Sequence, residues 1–392
     1  MVKFSADALF DGYRFRQEGT VLVLDKEGRV ADLLPAGDAG GDVRHLRGIL
    51  CPGFVNCHCH LELSHLKGHM PEKTGLTDFL LGVMKFRGHF SETIINDAME
   101  QAEEDMFRAG IVAVGDIVNT AVSLPLKKRG RLHYHTFVEV MGVAEQDAAA
   151  RFAAARELYT LFRSSSPGEA GYGPAASVVP HAPYSVSPAL LRLINDFPGN
   201  ALLSIHNQES AAEDHLYRER QGDLLRLYHS LGIKPAAFRP SGLSSLRSWL
   251  PALNRHPLLL VHNTYTTEED WAFAAAAGQP LYACLCPNAN LYIENRLPDI
   301  AALQRQGIPI ALGTDSLASN HSLSILAEIK TLQQRLPALS VQTLLHWATA
   351  GGAKALQLDD RLGSFEKGKQ PGVLLISGEG RLSPGSTAER IS

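Results

Sequence analysis

The chain has 392 residues, 45% of them hydrophobic and 20% charged. That is ordinary globular composition with ample apolar side chains for a large core. The 37 basic and 41 acidic residues leave a net charge of −4, so no basic surplus exists to neutralise a phosphate backbone, and nucleic acid is set aside as a partner.

The opening MVKFSADALFDGYRF lacks the apolar centre of a signal peptide. No stretch reaches the roughly 18 apolar residues of a membrane span. The five cysteines, Cys51, Cys57, Cys59, Cys284 and Cys286, are odd in number and irregular in spacing. They read as reduced thiols in the cytoplasm rather than as disulfides.

In chain order, residues 1–50 read as short strands. Thr20–Asp25 is apolar and β-branched, Asp25-Lys-Glu-Gly28 is a turn, and Pro35–Gly41 is a loop. Eight short apolar runs follow: Gly53–Cys57, Ile111–Gly115, Leu132–Val138, Ser177–Pro180, Ala201–Ile205, Leu258–Val261, Leu281–Leu285 and Ile308–Gly313. Each is too short for a helix, as buried parallel strands are. Between or after them, Glu92–Arg108, Gln146–Arg163, Leu323–Arg335 and Val341–Leu356 carry apolar residues at three- and four-residue spacing and read as amphipathic helices. The turn-rich segment Gly363–Gly372 leads to the apolar Val373–Ile376. Both termini are predicted to join in one small β domain, residues 1–50 with 360–392. The tail from Ser377 reads as poorly ordered.

The ends of the runs hold the chemistry. His58 and His60 end the first run and Asp116 the second, and the third reaches Glu139. His181, His206 and His262 end the fourth, fifth and sixth, Cys286-Pro-Asn288 the seventh, and Asp315 the eighth. A doubly wound sheet would spread these groups along an edge, whereas a (β/α)8 barrel brings them to one rim. The fold class is therefore α/β: a TIM-type barrel over residues 51–359 with a small β-sandwich domain from both termini.

His58 and His60, two apart, point to the same side and can grip one ion. Cys59 points the other way. His206 adds an imidazole, and a helical turn after it would bring Glu209 over the same site. An Asp at position 315, ending an apolar run, is costly to bury without a partner, and a cation is a good one. Singly, each residue also has an ordinary reading: loop histidines, a helix-opening Glu209, a helix-capping Asp315, a core His262.

The pattern resembles a known family. Cys51-Pro-Gly-Phe-Val-Asn-Cys-His-Cys-His60 resembles the first-strand signature of the amidohydrolase superfamily, and His206-x-x-Glu209, His262 and Thr314-Asp315 resemble later strand motifs in the proper order. Cys286-Pro-Asn-Ala-Asn290 and Ser319-Asn320 resemble the branch of cytosine, guanine and S-adenosylhomocysteine/methylthioadenosine deaminases and triazine chlorohydrolases. His60-Leu-Glu-Leu-Ser64 is similar to the aminodeoxyfutalosine deaminases of that branch. The resemblance implies one divalent metal, Zn2+ or else Fe2+, held by His58, His60, His206 and Asp315. The lysine that bridges two metals in binuclear relatives has no counterpart beside Pro180-His181.

The implied activity is an aminohydrolase on a purine-type base or nucleoside. A bound cation acidifies water toward a pKa of ~7. Asp315 takes the water's proton, Glu209 protonates the ring nitrogen and carries a proton to the leaving ammonia, and His262 bonds the incoming oxygen. His181 resembles a substrate-contacting histidine. Glu62, Ser64, His65 and Lys67 either line the rim or bridge to the next helix. Departures at Asn207-Gln208 and in Cys286-Pro-Asn-Ala-Asn290, where Ala289 replaces the usual Ser, leave the substrate open. Rival readings are hydrolysis of a cyclic amide or a carbon–halogen bond, and a non-catalytic ligand-binding barrel. The only other partner implied is a second copy of the chain, as a homodimer.

Overall fold

The computed structural model describes residues 1–164, 175–234, 238–378 and 380–391. The N-terminal strands are β1 (Val2–Leu9), β2 (Val21–Leu24), β3 (Val30–Leu34) and β4 (Val43–Pro52). A first parallel sheet takes β5 (Phe54–Cys59), β6 (Ile111–Val118), β7 (His133–Val140) and β8 (Ala175–Pro180), in that order. A second parallel sheet takes β9 (Leu203–Asn207), β10 (Leu258–His262), β11 (Leu281–Leu285) and β12 (Ile310–Leu312).

The eight apolar runs of the sequence thus form eight parallel strands. They read as uninterrupted because both faces are covered: every residue of β6 and β9 is buried. The main apolar cluster runs through both sheets and their flanking helices. Backbone bonds link the two sheets at both edges. The His206 N–H donates to the His181 carbonyl at 2.9 Å, and the Thr314 and Asp315 N–H groups both donate to the His58 carbonyl at 3.0 Å.

The Glu92–Arg108 and Ile325–Arg335 helices begin where Ser91 and Ser324 accept the backbone N–H three residues on. The Ala148–Arg163 helix opens through a 3-10 turn, Glu145–Asp147. The predicted helix from Val341 to Leu356 is not regular throughout. It widens into a π-helical turn at Trp347–Gly351 before ending at Gly352–Ala355. There the helix lies so close to β5 that a Cβ on Gly352 would meet the Val55 Cβ at 2.8 Å.

The terminal strands form one six-stranded sheet that includes β13 (Val373–Ile376) and β14 (Ala388–Arg390), in the order β14-β13-β4-β1-β2-β3. Among the described residues only β1 and β4 are parallel in it. Apolar clusters cover both faces of β2, through Leu22 and Leu24 on one and Val21 and Val23 on the other. The loop at Pro35–Gly41 carries a 3-10 turn, Ala36–Asp38.

The tail corrects the expectation of poor order. Ala388–Arg390 pairs antiparallel with β13, and Arg390 reaches the Ile111 carbonyl at 2.6 Å. The strand pairing supplies the order that the Gly/Pro-rich composition of the tail does not signal. Positions 379 and 392 of that tail lie outside the described residues. Among the described residues no helix is long and apolar enough to cross a membrane.

Candidate active site

Strand ends bring the candidate residues together. The Nε2 atoms of His58 and His60 lie 3.2 Å apart, and those of His60 and His206 lie 3.3 Å apart. Asp315 Oδ1 is 3.6 Å from His58 Nε2 and 3.5 Å from His60 Nε2. His58 is fully buried, and His206 and Asp315 nearly so.

The local backbone explains this convergence. β5 and β12 run so close that a Cβ on Gly313 would sit 2.8 Å from the His58 Cβ and 2.9 Å from the Cys284 Sγ. Glycine is what lets the Asp315 segment cross there. Asp315 itself is left-handed, φ +57°, a conformation that costs an Asp about 1–3 kcal/mol and is held by its surroundings. Its backbone N–H is fixed on His58, and Ser319 Oγ donates to its Oδ2 at 2.5 Å. It does not cap the next helix; Ser324 does.

His206 Nδ1 donates to the His181 carbonyl at 2.7 Å, which leaves Nε2 as a lone pair facing the cluster. Glu209 arrives by a route other than the predicted helical turn. The chain leaves β9 through a left-handed Gln208, φ +42°, and the helix starts only at Ala211. Gln208 is tied by Asp214 and Asp270, both at 3.0 Å, and that tether swings Glu209 inward. Its Oε1 stands 3.7 Å from His262 Nε2.

His262 is left-handed too, φ +69°. Its Nδ1 lies 2.8 Å from Asn290 Oδ1, while Asn290 Nδ2 faces the His262 carbonyl at 3.4 Å. The amide oxygen therefore meets the ring, and Nδ1 carries the proton. Nε2 is left as an acceptor with no hydrogen-bond partner among the described residues. His181 packs on His206 at 4.8 Å between ring centroids and bonds Ser185 Oγ through Nδ1 at 2.9 Å.

Burial drives the imidazoles of His58, His60, His206 and His262 toward neutrality. Burial alone would raise the Asp315 carboxyl, but the rings around it hold it well below its ordinary value. Glu209 goes the other way: burial, with the charges of Asp315 and Glu294, raises it well above the usual carboxylate range.

Three overlapping sets of donor atoms lie within 4.8 Å of one another: His58, His60 and His206; His58, His262 and Asp315; and Glu139, His181 and His206. Sequence reasoning gave Glu139 no role. Its Oε1 lies 3.8 Å from His206 Nδ1 and has no hydrogen bond, while Asn119 Nδ2 donates to its Oε2 at 2.9 Å. The only signal was its place at the end of the third run.

The cluster opens into a cavity of about 840 Å³, lined by His60, His181, His206, Glu209, His262 and Asp315 at its inner end. Leu76, Phe79, Leu80 and Val83 of the Leu76–Phe86 helix form an apolar wall with Leu227 and Tyr228, in the same apolar cluster, and the stretch 141–147 with Arg87 and Arg151 supplies a more polar one. Of the segment after His60, only Leu63 lines it. Glu62 turns away to accept the Asn119 and Thr120 N–H groups at 3.1 and 3.2 Å. Ser64 Oγ returns to the Leu61 carbonyl at 2.8 Å. His65 packs on Phe90 at 5.1 Å, and Lys67 is exposed. Cys59 is buried and pairs along the strand with Asp116.

Residues 49–384 match the amidohydrolase family. The chain is 29% identical over 343 residues to a 5-methylthioadenosine/S-adenosylhomocysteine deaminase of Teredinibacter turnerae, covering 84% of this chain and 71% of that one. It is 30% identical over 321 residues to an aminodeoxyfutalosine deaminase of Deinococcus radiodurans, covering 79% and 73%. An adenosine deaminase of Xanthomonas campestris, solved with bound zinc, superposes with a TM-score of 0.72 over 96% of this chain and 84% of that one, at 24% identity.

Proposed function

We propose that this chain, which belongs to the amidohydrolase family, is a metal-dependent aminohydrolase that releases ammonia from an adenine-type nucleoside. The observation that carries the reading is the cluster of four donors at strand ends, three of them buried and His60 partly so, with Glu209 and His262 beside it and the cavity in front. The relatives named for deamination of adenosine-type compounds support the substrate class. A cavity of about 840 Å³ is near the upper end for small-molecule sites. Its apolar outer wall favours a nucleoside with a bulky apolar 5′ substituent over a bare base.

The reading takes the two parallel sheets as one (β/α)8 barrel, residues 51–359. It takes the terminal sheet, residues 1–50 with 360–392, as a small β-sandwich domain. The hydrogen bonds at both sheet edges and the buried faces of β2 support it. All the candidate residues then lie at the C-terminal mouth of the barrel, where such folds keep their chemistry.

The residues fit a single metal. A tetrahedral ion bound at about 2.1 Å separates its ligands by roughly 3.4 Å, and the His58–His60, His60–His206, His58–Asp315 and His60–Asp315 separations run from 3.2 to 3.6 Å. Burial favours neutral rings, so a cation other than a proton balances the Asp315 carboxylate. Three imidazoles and one carboxylate suit Zn2+, with Fe2+ the alternative. When bound, the ion supplies Lewis acidity toward a water at the mouth of the barrel.

The chain's own groups do the rest. Asp315 accepts a proton from the attacking water. His262, with its Nδ1–H committed to Asn290, offers Nε2 as an acceptor to that oxygen's O–H. This sharpens the role read from the sequence, since a nitrogen without a proton orients the attack rather than donating to an oxyanion. Glu209, kept protonated by burial, donates to the ring nitrogen next to the reacting carbon, then takes the proton left on the added oxygen and delivers it to the departing amine, and the proton held by Asp315 returns to Glu209. One C–N bond breaks, one C–O bond forms, and ammonia leaves. His181 contacts the substrate from the β8 side.

The test is ammonia release by zinc-loaded protein over adenosine, 5-methylthioadenosine, S-adenosylhomocysteine, aminodeoxyfutalosine, guanine and cytosine. Turnover on at least one adenine nucleoside is expected. Turnover confined to a cyclic amide or a chlorinated triazine, without ammonia, would overturn the reading.

A further inference from the structure

One buried acid lies outside the cluster and bonds to both loops that shape it. Glu328, in the first turn of the Ile325–Arg335 helix, is fully buried. It forms no ion pair with any described residue. Its carboxylate accepts three hydrogen bonds instead. Two come from Asn288, the backbone N–H at 2.8 Å and Nδ2 at 3.0 Å. One comes from Asn320 Nδ2, at 2.8 Å.

Each donor leads into the site. Asn288 stands two residues before Asn290, on the same Pro287–Ile293 helical turn, and Asn290 fixes the His262 ring. Thr331 Oγ1, on the Glu328 helix, also holds Asn288 Oδ1, at 2.6 Å. Asn320 Nδ2 donates as well to the Thr314 carbonyl at 2.8 Å. Its neighbour Ser319 holds Asp315 Oδ2, which turns Oδ1 toward the imidazoles. A buried carboxylate without a cation is costly, and a fold needing only a filled space would do with an apolar side chain there.

We infer that Glu328 is a positioning residue that clamps the loop after β11 to the loop after β12 and so fixes His262 and Asp315 relative to each other. The inference rests on the proposed reading for what those two residues do, but not for the clamp itself. Glutamine in place of Glu328 keeps the size but turns one acceptor into a donor, so at least one of the three N–H groups meets an N–H. Outer partners of this kind are worth roughly 10–100-fold in metal affinity or activity.

The two arms can be cut separately. Asn288→Ala cuts the arm toward Asn290, and Asn320→Ala the arm toward Ser319. The readouts are kcat and KM with the zinc enzyme, and affinity and visible absorption with Co2+ in place of zinc. Asn288→Ala is expected to lose kcat about 10-fold or more, with KM within twofold and Co2+ affinity unchanged. Asn320→Ala is expected to weaken Co2+ binding about 10-fold and to shift its spectrum. Glu328→Gln is expected to do both.

Wild-type kcat and Co2+ affinity in Glu328→Gln would overturn the clamp. So would equal losses of both quantities in the two arm variants, tracking only a lower melting temperature. If Glu328→Gln does not fold, the two arm variants carry the same decision. If the wild type deaminates nothing while Glu328→Gln and Asn320→Ala still weaken Co2+ binding, the deaminase reading fails and the clamp stands.

Discussion

Glu209→Gln separates proton transfer from metal binding more cleanly than any other substitution in the site. Glu209 is 5% exposed, makes no hydrogen bond to a described residue, and has only the His262 Nε2 within ion-pair range, at 3.7 Å. Burial, then the charges of Asp315 and Glu294, keep its carboxyl protonated well above the usual range. A glutamine amide matches that neutral acid in size and in pairing a donor group with a carbonyl acceptor, so folding and substrate binding are expected to survive. What it cannot do is release a proton. Loss of a positioned acid and base costs about 10²–10⁴-fold, which is ~3–5 kcal/mol of activation free energy. The expected result is kcat down by at least ~100-fold, zinc content unchanged and melting temperature equal or slightly higher, since a desolvated acid has been removed. A coupled ammonia assay at saturating substrate, with metal analysis on the same sample, reads all of it. A Glu209→Gln enzyme retaining more than a tenth of wild-type kcat would refute the proton-transfer role. Loss of zinc would move Glu209 into the ligand set.

Other outcomes follow from the same geometry. Purified protein is expected to carry about one zinc per chain by metal analysis; a stoichiometry near two would point to Glu139, His181 and His206 as a second position. His262→Asn is expected to keep the metal and lose turnover, because the four proposed donors stand without it; metal loss in that variant would make His262 a ligand. Glu213 is buried, and burial pushes its carboxyl from its ordinary 4.5 up to about 8, with the Asp214 carboxylate adding to the rise. Its folded-state pKa lies above the unfolded one, so its contribution to stability is present below pH 4.5 and is lost as the pH rises through about 8. Glu213→Gln removes that loss, on the order of a few kcal/mol. The melting temperature of the variant is therefore expected to gain on the wild type by several degrees between pH 5 and pH 8.5. A gap that stays constant with pH would show that the site is hydrated in solution.

Much of this arrangement could be read from the chain. Parallel strands covered on both faces leave unbroken apolar runs, so β5–β12 stand out without any alignment. The first polar residue after such a run must sit at a strand end, so His58, His206, His262 and Asp315 could be grouped before any geometry was known. Less legible was how backbone conformation aims them. Gln208, His262 and Asp315 are left-handed, and although Asp and His visit that region more than most residues, nothing in local propensity marks a Gln for it. The expected helical turn after His206 failed for that reason. At the rim, the sequence left open whether the residues after His60 line it or bridge onward. Glu62 and Ser64 follow His60 directly, but a 3-10 turn over Leu61–Leu66 faces them to backbone groups and leaves Leu63 to the cavity. The Leu76–Phe86 helix is not among the amphipathic segments read from the sequence, and only tertiary packing makes its apolar face a wall of the pocket.

This division has a physical basis that bears on how the site works. Residues that hold an ion must converge within about 3.4 Å of one another, and only rigid strand ends, cross-bonded at β5 and β12, provide that. Residues that select a substrate need reach and variety, which on the proposed reading the Leu76–Phe86 and Leu224–Ser230 helices would supply, since they line the cavity through a separate apolar cluster. Changes in that second cluster, at Phe79 or Tyr228, should therefore alter which nucleoside binds while leaving metal content and the Glu209 chemistry in place. The opposite holds for the Asn288–Glu328–Asn320 network. It touches no part of the cavity wall, so its loss should slow every substrate by the same factor, and a substrate-dependent effect would mean that the two layers are coupled.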